Sequence, residues 1–264
     1  MLNLTGKVAL VMGCGAVADG WGNGRATAVL LARQGAKVFG TDLSLPNAQE
    51  TERLVREEGG ACHVAACDAT QSAQVAQAVA QCVERFGRVD ILINNVGLSQ
   101  PGGPVDMDEA VWDAQIDVNL KSAFLSCKHV IPHMRRQGGG AIVNVASVAG
   151  LRYVGKPQVA YAAAKAGLLH FTHTTAVIHA PEAIRLNCVV PGLMHTPLIE
   201  GLAAKYAQGD TQGFIDHRNN QVPMKHMGTG WDTAHAVLFL VADESRYVTG
   251  TEIVVDGGLV AATR

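Results

Sequence analysis

The chain predicts an α/β protein, a doubly wound seven-stranded parallel sheet with helices on both faces, and three observations carry that expectation. Short β-branched apolar runs alternate with helical patterns from one end of the sequence to the other. The first run opens into a glycine-rich loop ahead of a helical stretch. With 264 residues, 48% of them hydrophobic, the chain has enough apolar material for a single core, so one domain over 1–264 is the simplest organisation.

The elements follow in order. A strand at 8–12 enters the loop Gly13 to Gly24, and a helix near 24–34 stops at Gly35. Strands at 37–41, 62–66 and 91–94 alternate with helices near 47–58 and 71–86. A long helical stretch near 108–136 leads to a strand at 142–147, a helix near 158–180 and a strand at 184–190. The stretch from His195 to Gly230 breaks the alternation with Pro197, Gly201, Gly209, Gly213, Pro223 and Gly228. Lying after the sixth strand, it is placed to act as a lid over the carboxyl ends of the strands, where open α/β sheets bind ligands. A helix near 231–242 and a strand at 252–256 complete the order.

The glycine loop admits two registers. Gly13-x-Gly15-x-x-Ala18 satisfies a common dinucleotide fingerprint, but a helix starting there would carry Gly20, Gly22 and Gly24 in its interior. Three interior glycines cost ~3 kcal/mol relative to alanine, so the helix is expected to start near Asn23. Gly22, Asn23 and Gly24 then form the phosphate turn, and 14–21 becomes an enlarged loop with Trp21 at its tip. The second strand ends at Asp42, where a carboxylate accepts bonds from ribose hydroxyls and repels a 2′-phosphate, and Leu43 adds no positive charge. The cofactor expected is therefore NAD rather than NADP. Asp68, after the third strand, suits either an adenine amino group or the start of the next helix.

Tyr161 and Lys165 stand four residues apart, fourteen after Ser147. An i,i+4 pair shares one helix face, and Ala162, Ala163 and Ala164 leave that face open. A phenol is a poor base at neutral pH until a cation favours its phenolate, and Lys165 is placed to be that cation. Lowering a tyrosine pKa by ~3 units takes ~4 kcal/mol, within reach of one ammonium plus a cofactor charge in a partly dry site.

With these residues placed, the sequence resembles the short-chain dehydrogenase/reductase family in its single-domain form, a Rossmann-fold group, from about residue 5 to 258. The likeness extends to Asn94-Asn95-Val96-Gly97, Asn119, Pro191-Gly192 followed by Thr196, and Asp256-Gly257-Gly258. The resemblance implies Tyr161 as general acid/base, Lys165 as its activator and nicotinamide-ribose ligand, Ser147 as partner of the reacting oxygen, and Asn119 as holder of a water leading to Lys165. It further implies Gly13, Gly22, Asn23, Gly24, Asp42, Asp68, Asn95, Gly97, Pro191, Gly192 and Thr196 around the cofactor. Homotetramers, joined through 108–136, 158–180 and the last strand, are also implied. One departure is plain: eight residues separate Gly13 from Gly22 where the family has three.

The chemistry expected is hydride transfer between NAD and a secondary alcohol or ketone, without a metal. His129 and His133 form an i,i+4 pair, but no cysteine or carboxylate cluster accompanies them. The rivals are a 3-oxoacyl thioester reductase of the same family, usually NADP-dependent, and a catalytically silent nucleotide sensor. Ser147, Tyr153, Met194 and His195, with Leu98 and Tyr206, are candidate substrate contacts, and Arg152 or His195 could read a carboxylate. A net charge of -2 with mixed signs favours neither nucleic acid nor an anionic membrane surface. No export signal is visible, and the longest apolar stretches fall short of the ~20 residues that span a bilayer, so a cytoplasmic protein is expected. Six cysteines, none in a Cys-x-x-Cys, read as buried thiols, with Cys14 in the glycine loop the one that could react.

Overall fold

Val8–Met12 (β1) is buried along its whole length and takes an interior place in the sheet. Its side chains divide by parity: Ala9 and Val11 enter one core, Val8, Leu10 and Met12 the other. The computed structural model describes residues 2–206 and 210–263, without the side chains at 200, 202 and 204–206. Gly209 and the side chain of Tyr206 therefore lie outside the described residues.

After β1 come α1 (Asn23–Arg33), β2 (Lys37–Asp42), α2 (Leu45–Glu57), β3 (Cys62–Ala66), α3 (Ser72–Phe86) and β4 (Ile91–Asn94). Then follow α4 (Glu109–Ile116), a π-helical turn (Asp117–Lys121), α5 (Ser122–Arg136), β5 (Gly140–Val145), α6 (Val159–His179) and β6 (Ile184–Pro191). The region expected as a lid holds β7 (Met194–His195), α7 (Pro197–Tyr206), α8 (Thr211–Gln221) and β8 (Gly228–Thr229). α9 (Gly230–Val241) and β9 (Glu252–Val255) close the chain.

Seven strands pair in the order β3-β2-β1-β4-β5-β6-β9, every ladder parallel. Helices α1, α2 and α9 cover one face through Ala26, Val29, Ala48, Val55, Val237 and Leu238. The other face is covered by α3 and α5 through Val75, Val79, Val130 and Met134, with Ala176 from α6. The chain order reverses between β1 and β4, which opens the crevice at their carboxyl ends. Gly13, Asp68, Asn95 and Ser147 follow the ends of β1, β3, β4 and β5, Asp42 and Pro191 end β2 and β6, and Tyr161 and Lys165 lie on α6.

Candidate active site

The glycine loop starts where β1 ends. Gly13 takes φ +79, a backbone conformation few side chains tolerate, and its carbonyl accepts a 2.8 Å bond from Asn95 Nδ2. α1 begins at Asn23, as the glycine cost required, with Gly22 at its N-cap and no side chain capping the first turn. A Cβ on Gly24 would lie 1.9 Å from the Gly13 carbonyl oxygen and 2.5 Å from Asn95 Nδ2, so only glycine lets helix and strand approach this closely. Asn23 Oδ1 is buried with no hydrogen-bond partner. An uncapped helix start and a glycine cradle together suit the pyrophosphate end of a dinucleotide.

The enlarged loop is held by residues the sequence did not flag. Arg25 is 4% exposed; its Nη1 donates to the Gly20 carbonyl at 2.8 Å and its Nε reaches Thr51 Oγ1 at 3.3 Å. A charged residue directly after Gly24, on the buried side of α1, was the available signal. Trp21 packs on Trp231 of α9 with ring centroids 4.6 Å apart, so it closes the loop against the protein's own helix. Burial pushes the Cys14 thiol well above its ordinary value, which removes the reactivity considered for it.

Asp42 ends β2 with both carboxylate oxygens engaged: Oδ2 accepts the Gly15 N–H at 3.0 Å and Oδ1 the Ser44 N–H at 3.0 Å. It therefore ties the glycine loop to the second strand, and each oxygen keeps a further lone pair. Asp68 Oδ1 accepts both the N–H and the hydroxyl of Thr70, at 2.9 and 2.7 Å, which shapes the turn after β3. The N-cap of α3 is Gln71, not Asp68.

Ser147 follows β5 in extended conformation, and its Oγ accepts the Ala149 N–H at 3.2 Å. Tyr161 and Lys165 lie on the first turns of α6, with Lys165 Nζ 5.8 Å from the centre of the Tyr161 ring. Lys165 is 2% exposed and donates to the Val145 carbonyl at 2.8 Å, which fixes its head beneath the phenol. Protein groups alone do not lower the Tyr161 pKa: burial raises it, and the Ser147 hydroxyl only partly opposes the rise. Lys165 is itself depressed to about 8, chiefly by burial, with Cys188 pulling the other way. Both charged forms lose hydration in this pocket, so activation needs a further positive charge beside the phenol.

That depression has a measurable consequence. A folded pKa below the unfolded value means that the stability contributed by Lys165 is fully present above the unfolded value of 10.5 and is lost as pH falls through about 8. A Lys165→Met variant is therefore expected to gain on the wild type in chemical denaturation near neutral pH. Its advantage should shrink between about pH 8 and about pH 10.

Asn119 sits in the π-helical turn, which interrupts the helix expected over 108–136. Its Nδ2 donates to the Leu98 carbonyl at 2.7 Å and the Gln115 carbonyl at 2.9 Å, while Oδ1 accepts the Leu98 N–H at 3.1 Å. The side chain thus pins the loop after β4 and keeps one acceptor position on Oδ1. Gly97 lies in the gap: a Cβ there would stand 3.1 Å from Asn119 Oδ1 and 3.4 Å from Lys165 Nζ. Gly97 therefore lies beside Lys165.

Pro191 is buried at the end of β6, and the Gly192 N–H donates to the Val255 carbonyl at 2.9 Å, which ties the turn after β6 to β9. Of the candidate substrate residues, Tyr153 is 72% exposed and His195 is also exposed. Met194 is buried, with its Sδ 2.7 Å from where a Gly228 Cβ would stand, so it serves the β7–β8 pairing. Arg152 Nη1 reaches the carbonyls of Leu259, Val260 and Ala262 at 3.2, 3.2 and 2.9 Å and so clamps the C-terminal tail. His129 bonds Ser72 at 3.0 Å, and among the described residues no three His, Cys, Asp or Glu converge as metal ligands.

Comparison with known proteins agrees with this geometry. A family model described as enoyl-(acyl carrier protein) reductase matches residues 16–260. The 3-oxoacyl-[acyl-carrier-protein] reductase FabG of Thermotoga maritima is 37% identical over 259 residues, which cover 98% of this chain and 100% of that protein. The chain belongs to the short-chain dehydrogenase/reductase family. Levodione reductase of Leifsonia aquatica is 35% identical over 261 residues, covering 98% of this chain and 96% of that protein. Among solved structures, a Burkholderia xenovorans protein assigned to the same family superimposes with a TM-score of 0.95 at 52% identity, covering 99% of both chains. As a member, this protein is an oxidoreductase acting on small molecules, of a family that generally uses nicotinamide cofactors. Among the described residues, no helix is long and apolar enough to cross a membrane.

Proposed function

We propose that the protein is an NAD-dependent dehydrogenase/reductase interconverting a secondary alcohol and its ketone. The observation that carries this is the meeting of Ser147, Tyr161 and Lys165 at one end of the crevice that holds Asp42 at the other. Gly13, Gly22, Asn23, Gly24, Asp42, Asp68 and Asn95 would hold the dinucleotide, with Gly97, Pro191, Gly192 and Thr196 toward its nicotinamide. The bound nicotinamide supplies the two-electron hydride acceptor or donor.

Around it the chain handles the proton. In the oxidative direction Tyr161 accepts the substrate hydroxyl proton on its phenol oxygen, and the Ser147 hydroxyl donates a hydrogen bond to the oxygen as negative charge develops there. Lys165, held by the Val145 carbonyl, supplies positive charge under the phenolate. Asn119 keeps the loop at 98 in place and offers Oδ1 toward the gap at Gly97, the position for a water that links Lys165 to solvent. The protein works as a homotetramer in the cytoplasm. Three exposed apolar side chains, Trp112 on α4, Phe124 on α5 and Val177 on α6, favour assembly through those helices.

Coenzyme preference tests the cofactor. The wild type is expected to favour NAD(H), and Asp42→Ser to shift the ratio of kcat/KM for NAD over NADP by roughly 10- to 100-fold, the value of a charge-assisted hydrogen bond. Because Asp42 also holds Gly15, thermal unfolding of the variant must be followed in parallel. Similarity to the Thermotoga reductase favours a second substrate class, 3-oxoacyl thioesters. A wild type that prefers NADPH and reduces such thioesters better than simple ketones would establish that class instead.

A further inference from the structure

A row of polar side chains crosses the sheet three residues before Ser147. Asn94, Asn144 and Cys188 stand in register across β4, β5 and β6. Two residues earlier on the same strands Leu92, Ile142 and Leu186 enter an apolar cluster, and two residues later Ala146 and Val190 enter another. Between these layers Asn94 Nδ2 donates to Asn144 Oδ1 at 2.8 Å, and Asn144 Nδ2 donates to Thr172 Oγ1 of α6 at 2.8 Å. The Thr172 hydroxyl also accepts the Cys188 thiol at 3.1 Å and donates to the Leu168 carbonyl at 2.7 Å, which uses its full bonding capacity. Asn94 is 5% exposed, Asn144, Thr172 and Cys188 not at all.

Stability does not require this row. An apolar layer of the same volume would hold the core as well, and Asn94 Oδ1 finds no hydrogen-bond partner among the described residues, a desolvation cost left standing. What polar pairs add is alignment, because they bond in one register where apolar side chains can slide. The row lies where alignment matters. β4 ends at Asn94, opposite Asn144, and the next carbonyl of β5, that of Val145, accepts Lys165 Nζ at 2.8 Å. Lys165 and Thr172 are seven residues, two turns, apart on α6, so both face β5. The helix that carries Tyr161 and Lys165 is therefore tied to adjacent residues of β5, by Thr172 to the Asn144 side chain and by Lys165 to the Val145 carbonyl. Ser147 lies two residues beyond Val145, so the seat of α6 on β5 sets how Ser147 meets Tyr161.

We infer that Asn144 and Thr172 are positioning residues for the reaction: their bond seats α6 on β5 so that Lys165 stays beneath the Tyr161 phenol and Tyr161 beside Ser147. This rests on the proton-transfer function proposed above and names what holds its parts in place. Asn94 extends the tie to β4, whose exit carries Asn95 and Gly97. The titratable groups facing Lys165 are Tyr161 on its own helix and Cys188 on β6. β5 brings the Val145 carbonyl, the loop after β4 brings Gly97, and the π-helical turn brings Asn119.

The test compares Thr172→Val, which keeps the volume and loses the hydroxyl, with Thr172→Ser, which keeps the hydroxyl. Oxidation of cyclohexanol or ethyl 3-hydroxybutyrate by NAD, whichever the wild type turns over faster, is followed across pH with the full-length enzyme. Thr172→Val is expected to lower kcat roughly 10-fold with KM changed by less than about 3-fold. The rise of its kcat with pH should move upward by about half a pH unit or more, because the phenolate loses part of its cation. Thr172→Ser should keep kcat within about 3-fold of the wild type and leave the profile in place. Val130→Ala, a cavity on the same face of the sheet, should weaken the fold in denaturant at least as much and leave the profile in place too. Should Thr172→Val fail to fold, Thr172→Ala carries the comparison. A readout free of turnover comes from NMR of the protein labelled at lysine Cε, with the Lys165 signal identified by its loss in Lys165→Met. Its titration midpoint should move by about half a pH unit or more in Thr172→Val and hold in Thr172→Ser. If the wild type oxidises no secondary alcohol, the catalytic proposal fails, yet a Lys165 midpoint that moves in Thr172→Val alone still upholds the tie. An unmoved profile and midpoint in Thr172→Val, or the same change in Thr172→Ser or Val130→Ala, would overturn it.

Discussion

Tyr161→Phe is expected to lower kcat/KM by roughly 10²- to 10⁴-fold while the protein folds and binds NAD as before. The substitution removes one oxygen and keeps the ring that Lys165 Nζ faces at 5.8 Å, so the packing of α6 stays intact. What disappears is the phenol that bonds the Ser147 hydroxyl, and with it the acceptor of the substrate proton. Because burial holds that phenol above its ordinary pKa, the wild-type oxidation rate should rise with pH as Tyr161 becomes able to accept a proton. The residual rate of the phenylalanine variant should lack that limb. Near-normal turnover in a folded, NAD-binding Tyr161→Phe protein would remove Tyr161 from the chemistry and leave its place on α6 without a role.

The sheet was legible because each strand is an apolar run bounded by turn residues. All seven expected strands form, three with the expected bounds and four with ends displaced by one or two residues. The start of α1 at Asn23 was legible for a different reason: the energetic cost of three interior glycines outweighed a matching fingerprint. What the sequence hid are features decided by partners far along the chain. Nothing in the periodicity of 108–136 announces a π-helical turn, within which Asn119 bonds Leu98, twenty-one residues earlier. Met194 reads as a pocket residue until Gly228 is seen to cover it. Lys165 reads as a free ammonium because its burial is created by elements brought together only in the fold. The helices α7 and α8 were obscured by Gly201 and Gly213 and by weak amphipathicity, and with them the inward aim of Arg218. Charge placement, unlike strand placement, is a tertiary property.

Gly24→Ala is the second substitution with a large expected effect, and it tests the cofactor end without touching a reacting group. The added methyl would meet the Gly13 carbonyl oxygen at 1.9 Å and the Gly13 carbonyl carbon at 3.0 Å, both backbone atoms that no rotamer change can move aside. Relief requires Gly13 to shift, yet its φ of +79 and its bond from Asn95 fix it at the end of β1. A loss of roughly 2 to 4 kcal/mol in unfolding free energy is expected, together with a rise of about 100-fold or more in the NAD dissociation constant. Gly22→Ala supplies the contrast from the same turn. Its φ is -74 and its Cβ would stand 3.4 Å from Ala16 Cβ, an ordinary contact, so stability should change by less than about 1 kcal/mol. Denaturant titration and NAD titration of the two variants side by side then separate close packing of helix on strand from access of the dinucleotide to the turn. If Gly24→Ala were as stable as Gly22→Ala and bound NAD equally well, the close approach of α1 to β1 would not be what makes this loop a nucleotide site.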